Sequence, residues 1–224
     1  MPLTPLLAPG VPHIPELAHK HDPEAALQAW LAHTGPMLLD LHGLLVGVDT
    51  AVPPALALQV VEGTHAQHEV ALVRKHIQPG GHALCVGVRL GVTAVALAKQ
   101  TGTRTFCLDE DPAAEASLTL TAVLNGVDVQ YIAGDPVPQL HGLAARVGAT
   151  TVRLAGDAAL LARLTGVAVL PATVQGVVLA PSLPSQGEGE VYALALRNLL
   201  RQGFEPWDSL GGVSFLRRSP DIAL

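Results

Sequence analysis

Apolar and polar residues alternate along the chain in blocks that predict strands and helices in turn. Residues 82–88 form a short apolar run with β-branched side chains, which is typical of a buried strand. Residues 92–100 are rich in Ala, Val and Leu and end near Gly102, so they predict a helix. Residues 105–108 predict a second strand, and an acid, Asp109, follows it directly.

The same alternation extends over most of the chain. Helices are predicted over 64–77, 112–124, 137–147, 157–164 (stopped at Gly166) and 187–202, and strands over 127–133, 150–154 and 173–179. Residues 204–218 predict a hairpin of two short strands around Gly211-Gly212. Strands that alternate with helices form mostly parallel sheets covered on both faces. We therefore expect an α/β fold whose last hairpin adds an antiparallel edge.

The first part of the chain follows a different pattern. We expect residues 1–60 to form an N-terminal extension or lid and residues 61–224 to form the main domain. A helix is predicted over 24–33, while the apolar residues 37–48 fit either a helix or a pair of strands. The prolines in 52–54 predict a break between the two units.

Composition narrows the class of protein. The 224 residues are 49% hydrophobic but only 3% aromatic, so the core must be built from Ala, Leu and Val. A net charge of −6 argues against a nucleic-acid partner, which favours a basic face. No apolar stretch is long enough to cross a bilayer, and no signal-peptide pattern is present, so we expect no membrane partner and a cytoplasmic location.

Two glycines and an acid form the candidate ligand site. Gly87 and Gly91 bracket a tight turn after the first strand, and Asp109 ends the next strand. Glycines let the backbone approach a ligand at the carboxyl edge of a parallel sheet, and an acid about twenty residues later can accept hydrogen bonds from ribose hydroxyls. Because the turn lacks a full G-x-G-x-x-G, the spacing alone fits a nucleotide site and a plain βαβ turn equally well.

Several short segments between Glu62 and Arg218 fall in the order and spacing of a known family. They are Cys85-Val86-Gly87-Val88-Arg89-Leu90-Gly91, Leu108-Asp109-Glu110-Asp111-Pro112, Leu124-Asn125-Gly126-Val127, Leu154-Ala155-Gly156-Asp157-Ala158-Ala159 and Leu199-Leu200-Arg201-Gln202-Gly203-Phe204. They resemble the D-V-G-A-N-x-G, F-E-P-x-P, L-N-G-L, I-D-V-E-G-A and L-L-x-x-G-Y motifs of the FkbM family of O-methyltransferases. That family belongs to the class I S-adenosylmethionine-dependent methyltransferases.

The resemblance implies a Rossmann-like, seven-stranded sheet and S-adenosylmethionine as cofactor. It also implies methylation of a hydroxyl on a small or carbohydrate-like acceptor, by a chain able to form a homodimer. Asp157 becomes the candidate catalytic carboxylate on the acceptor side. The candidate cofactor-binding residues are Gly87, Gly91, Asp109, Cys85, Arg89 and Asp135.

Three positions depart from the family's motifs. Cys85 stands where the family has an acid, and a thiol cannot replace that charge at neutral pH unless its pKa is depressed. Arg89 stands in place of Asn, and Ala155 in place of the acid of the fourth strand. These departures keep a second hypothesis open, in which the chain is a non-catalytic protein that uses the fold for interaction or assembly.

The histidines and cysteines invite further hypotheses. His65 and His68 are three residues apart and could share a helix face, but such histidines are more often solvated surface residues, so no metal site is predicted. Cys85 and Cys107 fall in adjacent strands. We expect them to be buried reduced thiols rather than a redox pair.

Overall fold

The computed structural model describes residues 37–48, 52–167, 169–182 and 189–220 of the chain. Its strands are β1 (Met37–Leu41), β2 (Leu44–Val48), β3 (His82–Val86), β4 (Thr105–Asp109), β5 (Val129–Ala133), β6 (Ala149–Gly156), β7 (Gly176–Pro181), β8 (Phe204–Leu210) and β9 (Val213–Arg218). Its helices are α1 (Pro54–Val61), α2 (Gln67–His76), α3 (Val92–Thr101), α4 (Ala113–Asn125), α5 (Pro136–Arg146), α6 (Ala158–Val167) and α7 (Gly189–Arg201). The helix predicted over 24–33 lies outside the described residues.

The main sheet has seven strands in the order β5-β4-β3-β6-β7-β9-β8. The first five strands in that order pair in parallel, whereas β9 runs antiparallel to both β7 and β8. The prediction of a mostly parallel, Rossmann-like sheet with an antiparallel C-terminal hairpin is therefore confirmed. The carboxyl ends of the parallel strands share one edge, which is where open α/β sheets bind ligands.

Residues of β3 alternate between two apolar layers. Ala83 and Cys85 pack into the layer that contains α3, while Leu84 and Val86 pack into the layer on the opposite face of the sheet. The residues of α3 from Val92 to Ala98 are all buried. Because this stretch is buried on every side, α3 lies inside its layer.

Residues 37–48 form a pair of strands, which is one of the two structures their apolar pattern allowed. This hairpin pairs Leu41 with Leu44 next to its turn and packs against α4. The Asn125 side chain donates a hydrogen bond of 2.6 Å to the Leu45 carbonyl. Thr121 Oγ1 accepts a bond of 3.3 Å from the Gly47 amide, and so the hairpin shares the core of the main sheet.

Several predicted boundaries differ from the structure, three of them as follows. The helix expected from residue 64 starts later because Ala66 takes a left-handed conformation, with φ of 57°. Gly166 does not end α6, which continues to Val167. The strand expected from residue 173 begins at Gly176, since a hydrogen bond of 3.0 Å from Val174 N to Pro171 O closes a turn there.

The proline-rich break predicted over 52–54 coincides with a helix start, because Pro54 occupies the first turn of α1. Proline has no amide hydrogen to leave unpaired there, so it is well suited to a first turn. None of the helices in the described part of the chain combines the length and apolar character needed to cross a bilayer.

Candidate functional site

Both glycines of the turn after β3 are required by close packing within the protein. Gly87 has a φ of +74°, and a Cβ placed on it would lie 2.4 Å from the Ala155 carbonyl oxygen. Gly91 has a φ of +76°, and its Cβ would lie 2.8 Å from Leu118 Cδ1. The turn is therefore pressed against β6 on one side and α4 on the other, and its backbone is held in one conformation.

Asp109 lies at the carboxyl end of β4, beside this turn. Its Oδ2 accepts a hydrogen bond of 2.5 Å from the Val88 amide, and its Oδ1 accepts one of 2.9 Å from the Asp111 amide. The carboxylate thus joins the glycine turn to the loop after β4. Each of its oxygens has a second lone pair, so the group can accept further hydrogen bonds from a ligand.

Arg89 occupies the tip of the turn in a left-handed conformation, with φ of +52°. Its side chain reaches across the crevice, where Nη2 donates a hydrogen bond of 2.5 Å to Ser182 Oγ. This bond spans the space between the β3 turn and the residue that follows β7. Arg89 therefore stands within the crevice at the carboxyl edge of the sheet.

Two cavities meet at this arginine. The larger cavity has a volume of about 800 Å³ and is lined by His65, His68, Glu69 and Tyr192 among others. The smaller cavity has a volume of about 470 Å³. Its lining includes Leu90, Asp111, Ala113, Ala114 and Ser117. Ala55, Gln59, Arg89 and Ser182 line both cavities, so α1 and the Arg89–Ser182 bond form the partition between them.

A buried ion pair lies under the turn. Nε of Arg153, in the middle of β6, is 2.7 Å from Oε2 of Glu69 in α2, and the two side chains are only 5% and 13% exposed. Arg153 Nη1 also donates to the carbonyls of Val86 (3.0 Å) and Gly87. Thr93 Oγ1 donates to Glu69 Oε2 at 3.0 Å. The ion pair therefore holds the carboxyl end of β3 in place from the interior of the protein.

Both members of the pair are charged at neutral pH. Burial alone would raise the pKa of Glu69, but the adjacent Arg153 guanidinium and its hydrogen bond hold that pKa below its usual value. Burial would likewise lower the pKa of Arg153, yet Glu69 holds it above its usual value. Sequence reasoning missed this pair. The available signal was a single charged residue, Arg153, within the otherwise uncharged strand 149–156.

Cys85 lies in the core beside this pair and away from the crevice. It is fully buried, with its Sγ 3.9 Å from Arg153 Nη1. Burial raises the pKa of the thiol to about 11 despite the nearby guanidinium, so the group is uncharged at pH 7. Cys85 is the register partner of Cys107, and both are free, buried thiols, as expected.

Asp135 and Asp157 each cap a helix at the carboxyl edge of the sheet. Asp135 Oδ1 accepts a hydrogen bond of 2.9 Å from the Val137 amide at the start of α5. Asp157 Oδ1 accepts one of 2.7 Å from the Leu160 amide at the start of α6. Among the described residues that line the two cavities, Arg89 is the only site residue predicted from sequence, although Ala158, next to Asp157, also lines the larger cavity.

His65, just before α2, differs from the solvated residue expected. His65 is 7% exposed, and its carbonyl accepts a hydrogen bond of 2.7 Å from His42 Nε2. Burial lowers the pKa of the His65 imidazole to about 4, with Glu69 opposing that shift. Within residues 37–48, 52–167, 169–182 and 189–220, no group of three or more His, Cys, Asp or Glu side chains is arranged to hold a metal ion.

Comparison with known proteins supports the fold described above. No family model matches the chain, and no curated protein sequence matches it. Solved structures do match. The chain is similar to a SAM-dependent methyltransferase from Agrobacterium tumefaciens, with a TM-score of 0.52 and 17% identity over 85% of this chain and 72% of that one.

Two further structures have the same fold. A protein of the NADB-Rossmann superfamily from Streptococcus agalactiae matches with a TM-score of 0.53 and 12% identity, over 70% of each chain. A ribosomal protein L11 methylase from Lactobacillus delbrueckii subsp. bulgaricus matches with a TM-score of 0.51 and 16% identity, over 67% of this chain and 77% of that one. The chain thus has the Rossmann-like fold that class I S-adenosylmethionine-dependent methyltransferases adopt.

Proposed function

We propose that the chain is an S-adenosylmethionine-dependent methyltransferase that binds its cofactor in the crevice between the glycine turn and α1. The observation that carries the proposal is the position of Asp109. Its carboxylate lies at the end of β4, tied to the Val88 amide of the turn, at the edge where open α/β sheets bind ligands.

The donor set and the space at this edge fit the cofactor. The smaller cavity combines an apolar wall from Leu90 and Ala114 with the polar Asp111 and Ser117, which suits a nucleoside. Asp109 does not line this cavity itself but is hydrogen-bonded to the lining residue Asp111, and its free lone pairs would accept the ribose hydroxyls. Cys85 does not fit a direct role, because its neutral thiol is buried in the core.

The larger cavity would hold the acceptor. Its wall includes His65 and Tyr192, polar groups that suit a hydroxyl-bearing molecule. Asp157, the neighbour of the lining residue Ala158, would be the acceptor-side carboxylate. The choice of a small or carbohydrate-like hydroxyl acceptor rests on the sequence resemblance to the FkbM family. The cofactor supplies an activated methyl group when bound, and the residues of the chain bind and orient the two reactants.

Calorimetric titration with S-adenosylmethionine and S-adenosylhomocysteine tests the proposal. We expect saturable binding of one ligand per chain. Absence of binding at millimolar ligand, by protein whose circular dichroism shows it to be folded, would overturn the enzymatic function. If binding is found, a panel of sugars, small alcohols and peptides, assayed for formation of S-adenosylhomocysteine, would identify the acceptor class.

One observation supports a second candidate function, a non-catalytic protein used for interaction or assembly. The Arg89–Ser182 bond crosses the crevice and divides it into two parts. Under this alternative the natural chain does not bind S-adenosylhomocysteine, and Arg89→Ala gains binding because it removes the partition. Binding by the natural chain would remove the support for this alternative.

A further inference from the structure

Among the residues that the structure describes, Arg89 is a charged residue without a charged partner, and it lies in the wall of both cavities. In the described part of the chain, Arg153 is paired with Glu69, and Asp109 is held by two backbone amides. Arg89 makes no ion pair there, and its one hydrogen bond goes to the neutral hydroxyl of Ser182. A guanidinium presents five N–H donors, so most of its donors are available to a ligand.

The backbone of Arg89 adds a second observation. Its φ of +52° lies in the left-handed region, which a residue with a Cβ adopts at an energetic cost. Such strain persists where the surroundings fix the residue, and it is concentrated at ligand-binding turns. Here the packed positions of Gly87 and Gly91 fix the turn on both sides and hold the arginine at the junction of the two cavities.

A ligand that occupies both cavities must pass this guanidinium. If adenosine lies in the smaller cavity beside Asp111, the rest of the cofactor extends past Arg89 toward the larger cavity, whose wall includes Glu69. That part of the cofactor carries a carboxylate and an ammonium group. A planar guanidinium and a carboxylate form paired, charge-assisted hydrogen bonds.

We propose that Arg89 binds the carboxylate at the amino-acid end of S-adenosylmethionine, exchanging its bond to Ser182 for the ligand. This inference rests on the proposed function. The arginine in the turn is then a specificity-determining residue for the cofactor, and the partition between the cavities opens when the cofactor enters.

The test uses a matched pair of ligands, S-adenosylmethionine and decarboxylated S-adenosylmethionine, which differ only in the carboxylate. Calorimetry gives the affinity of both for the natural chain, for Arg89→Gln and for Arg89→Lys. We expect the natural chain to prefer the carboxylated ligand by roughly ten- to a hundred-fold, as for loss of a charge-assisted pair. Arg89→Gln should abolish the preference while leaving the affinity for the decarboxylated ligand within about two-fold.

Two variants complete the design. Arg89→Lys keeps the charge and should restore part of the preference, which a purely steric role would not predict. Arg163→Gln, at an exposed position of α6, should leave both affinities unchanged.

An equal preference in the natural chain and in Arg89→Gln would overturn the inference while leaving the proposed function intact. Tighter binding of both ligands by Arg89→Gln would show that Arg89 obstructs the site, which also overturns it. If the folded natural chain binds neither ligand, the proposed function fails and the inference fails with it.

Discussion

Nε of Arg153 and Oε2 of Glu69 lie 2.7 Å apart beneath the glycine turn, where a central strand and the second helix meet. The same guanidinium donates to the carbonyls of Val86 and Gly87. One side chain therefore links α2, the end of β3 and the floor of the crevice. Because the pair is buried, removing one partner leaves the other charge without compensation.

Replacing Arg153 should therefore be far more costly than replacing an exposed arginine. We expect Arg153→Met to lower the free energy of unfolding by about 3–5 kcal/mol, because it leaves the buried Glu69 carboxylate without a charge partner. Arg104→Met is the control, since the Arg104–Asp128 pair has the same 2.7 Å distance but is about half exposed. Arg104→Met should lower the free energy of unfolding by at most about 1 kcal/mol. Urea unfolding measures both, and equal losses would show that the buried pair contributes little.

The close approach of the turn to β6 makes a second prediction. Gly87→Ala would place a methyl group 2.4 Å from the Ala155 carbonyl, in addition to the strain of a positive φ. Gly102 has a similar φ of +70° but open space around its Cβ position, so Gly102→Ala isolates the strain. We expect roughly 1–2 kcal/mol of destabilisation for Gly102→Ala and clearly more for Gly87→Ala. Similar losses in thermal unfolding would contradict the packing described for the turn.

Burial of His65 predicts a pH dependence of stability. Burial lowers the imidazole pKa from 6.5 to about 4 in the folded chain, with Glu69 opposing and Arg89, Arg153 and His42 assisting. Between these values the unfolded chain binds a proton that the folded chain does not, so stability is lost as pH falls through this window. The total loss in the free energy of unfolding across this window is about 3 kcal/mol, at 1.36 kcal/mol per pKa unit.

The measurement is the free energy of unfolding from pH 7 to 4. His65→Gln removes the titrating group, so its profile should be flatter across the same window. A natural chain whose stability does not change between pH 6.5 and 5 would contradict the buried, neutral state of His65. The low pKa of Glu69 acts in the same direction, but only at pH values near or below 4.5.

Asp109 is predicted to serve both ligand and fold. Asp109→Ala should weaken S-adenosylhomocysteine binding by roughly ten- to a hundred-fold, because it removes the acceptor of the ribose hydroxyls. It should also destabilise the chain by about 1–3 kcal/mol, since the Val88 and Asp111 amides lose their acceptor. Asp128→Ala, at an exposed surface carboxylate, is the control for both measurements. Unchanged affinity with lower stability would make Asp109 a purely structural residue.

From α2 onward the sequence was sufficient for the order of elements and for the position of Asp109, whereas α1 was not predicted. Apolar runs of strand length, glycines at helix ends and the spacing of the turn are local features, and each of them predicts its element directly. For residues 37–48 the sequence left both a helix and a strand pair open, because an apolar run alone does not distinguish the two structures. The pairing with α4 through Asn125 and Thr121 that holds it is a long-range contact.

The environment of the site could not be predicted in the same way. Glu69 and Arg153 are 84 residues apart in sequence, and only the fold brings them together. Asp135 and Asp157 are at the expected edge, but their side chains are bound to the helices that follow. The roles proposed for them, and the membership of the FkbM family, remain predictions from motif resemblance.

Amide hydrogen exchange with and without S-adenosylhomocysteine tests the central claim most directly, because it shows where on the fold the ligand binds. A cavity of about 800 Å³ at the opposite end of the parallel strands, lined by Gly80, Gly81 and Trp207 among others, provides an internal control. We predict slower exchange in peptides that cover residues 86–91 and 109–114, and no change in peptides that cover 78–81 and 206–210. Protection confined to the control cavity, or no protection under saturating ligand, would contradict a cofactor site at the glycine turn.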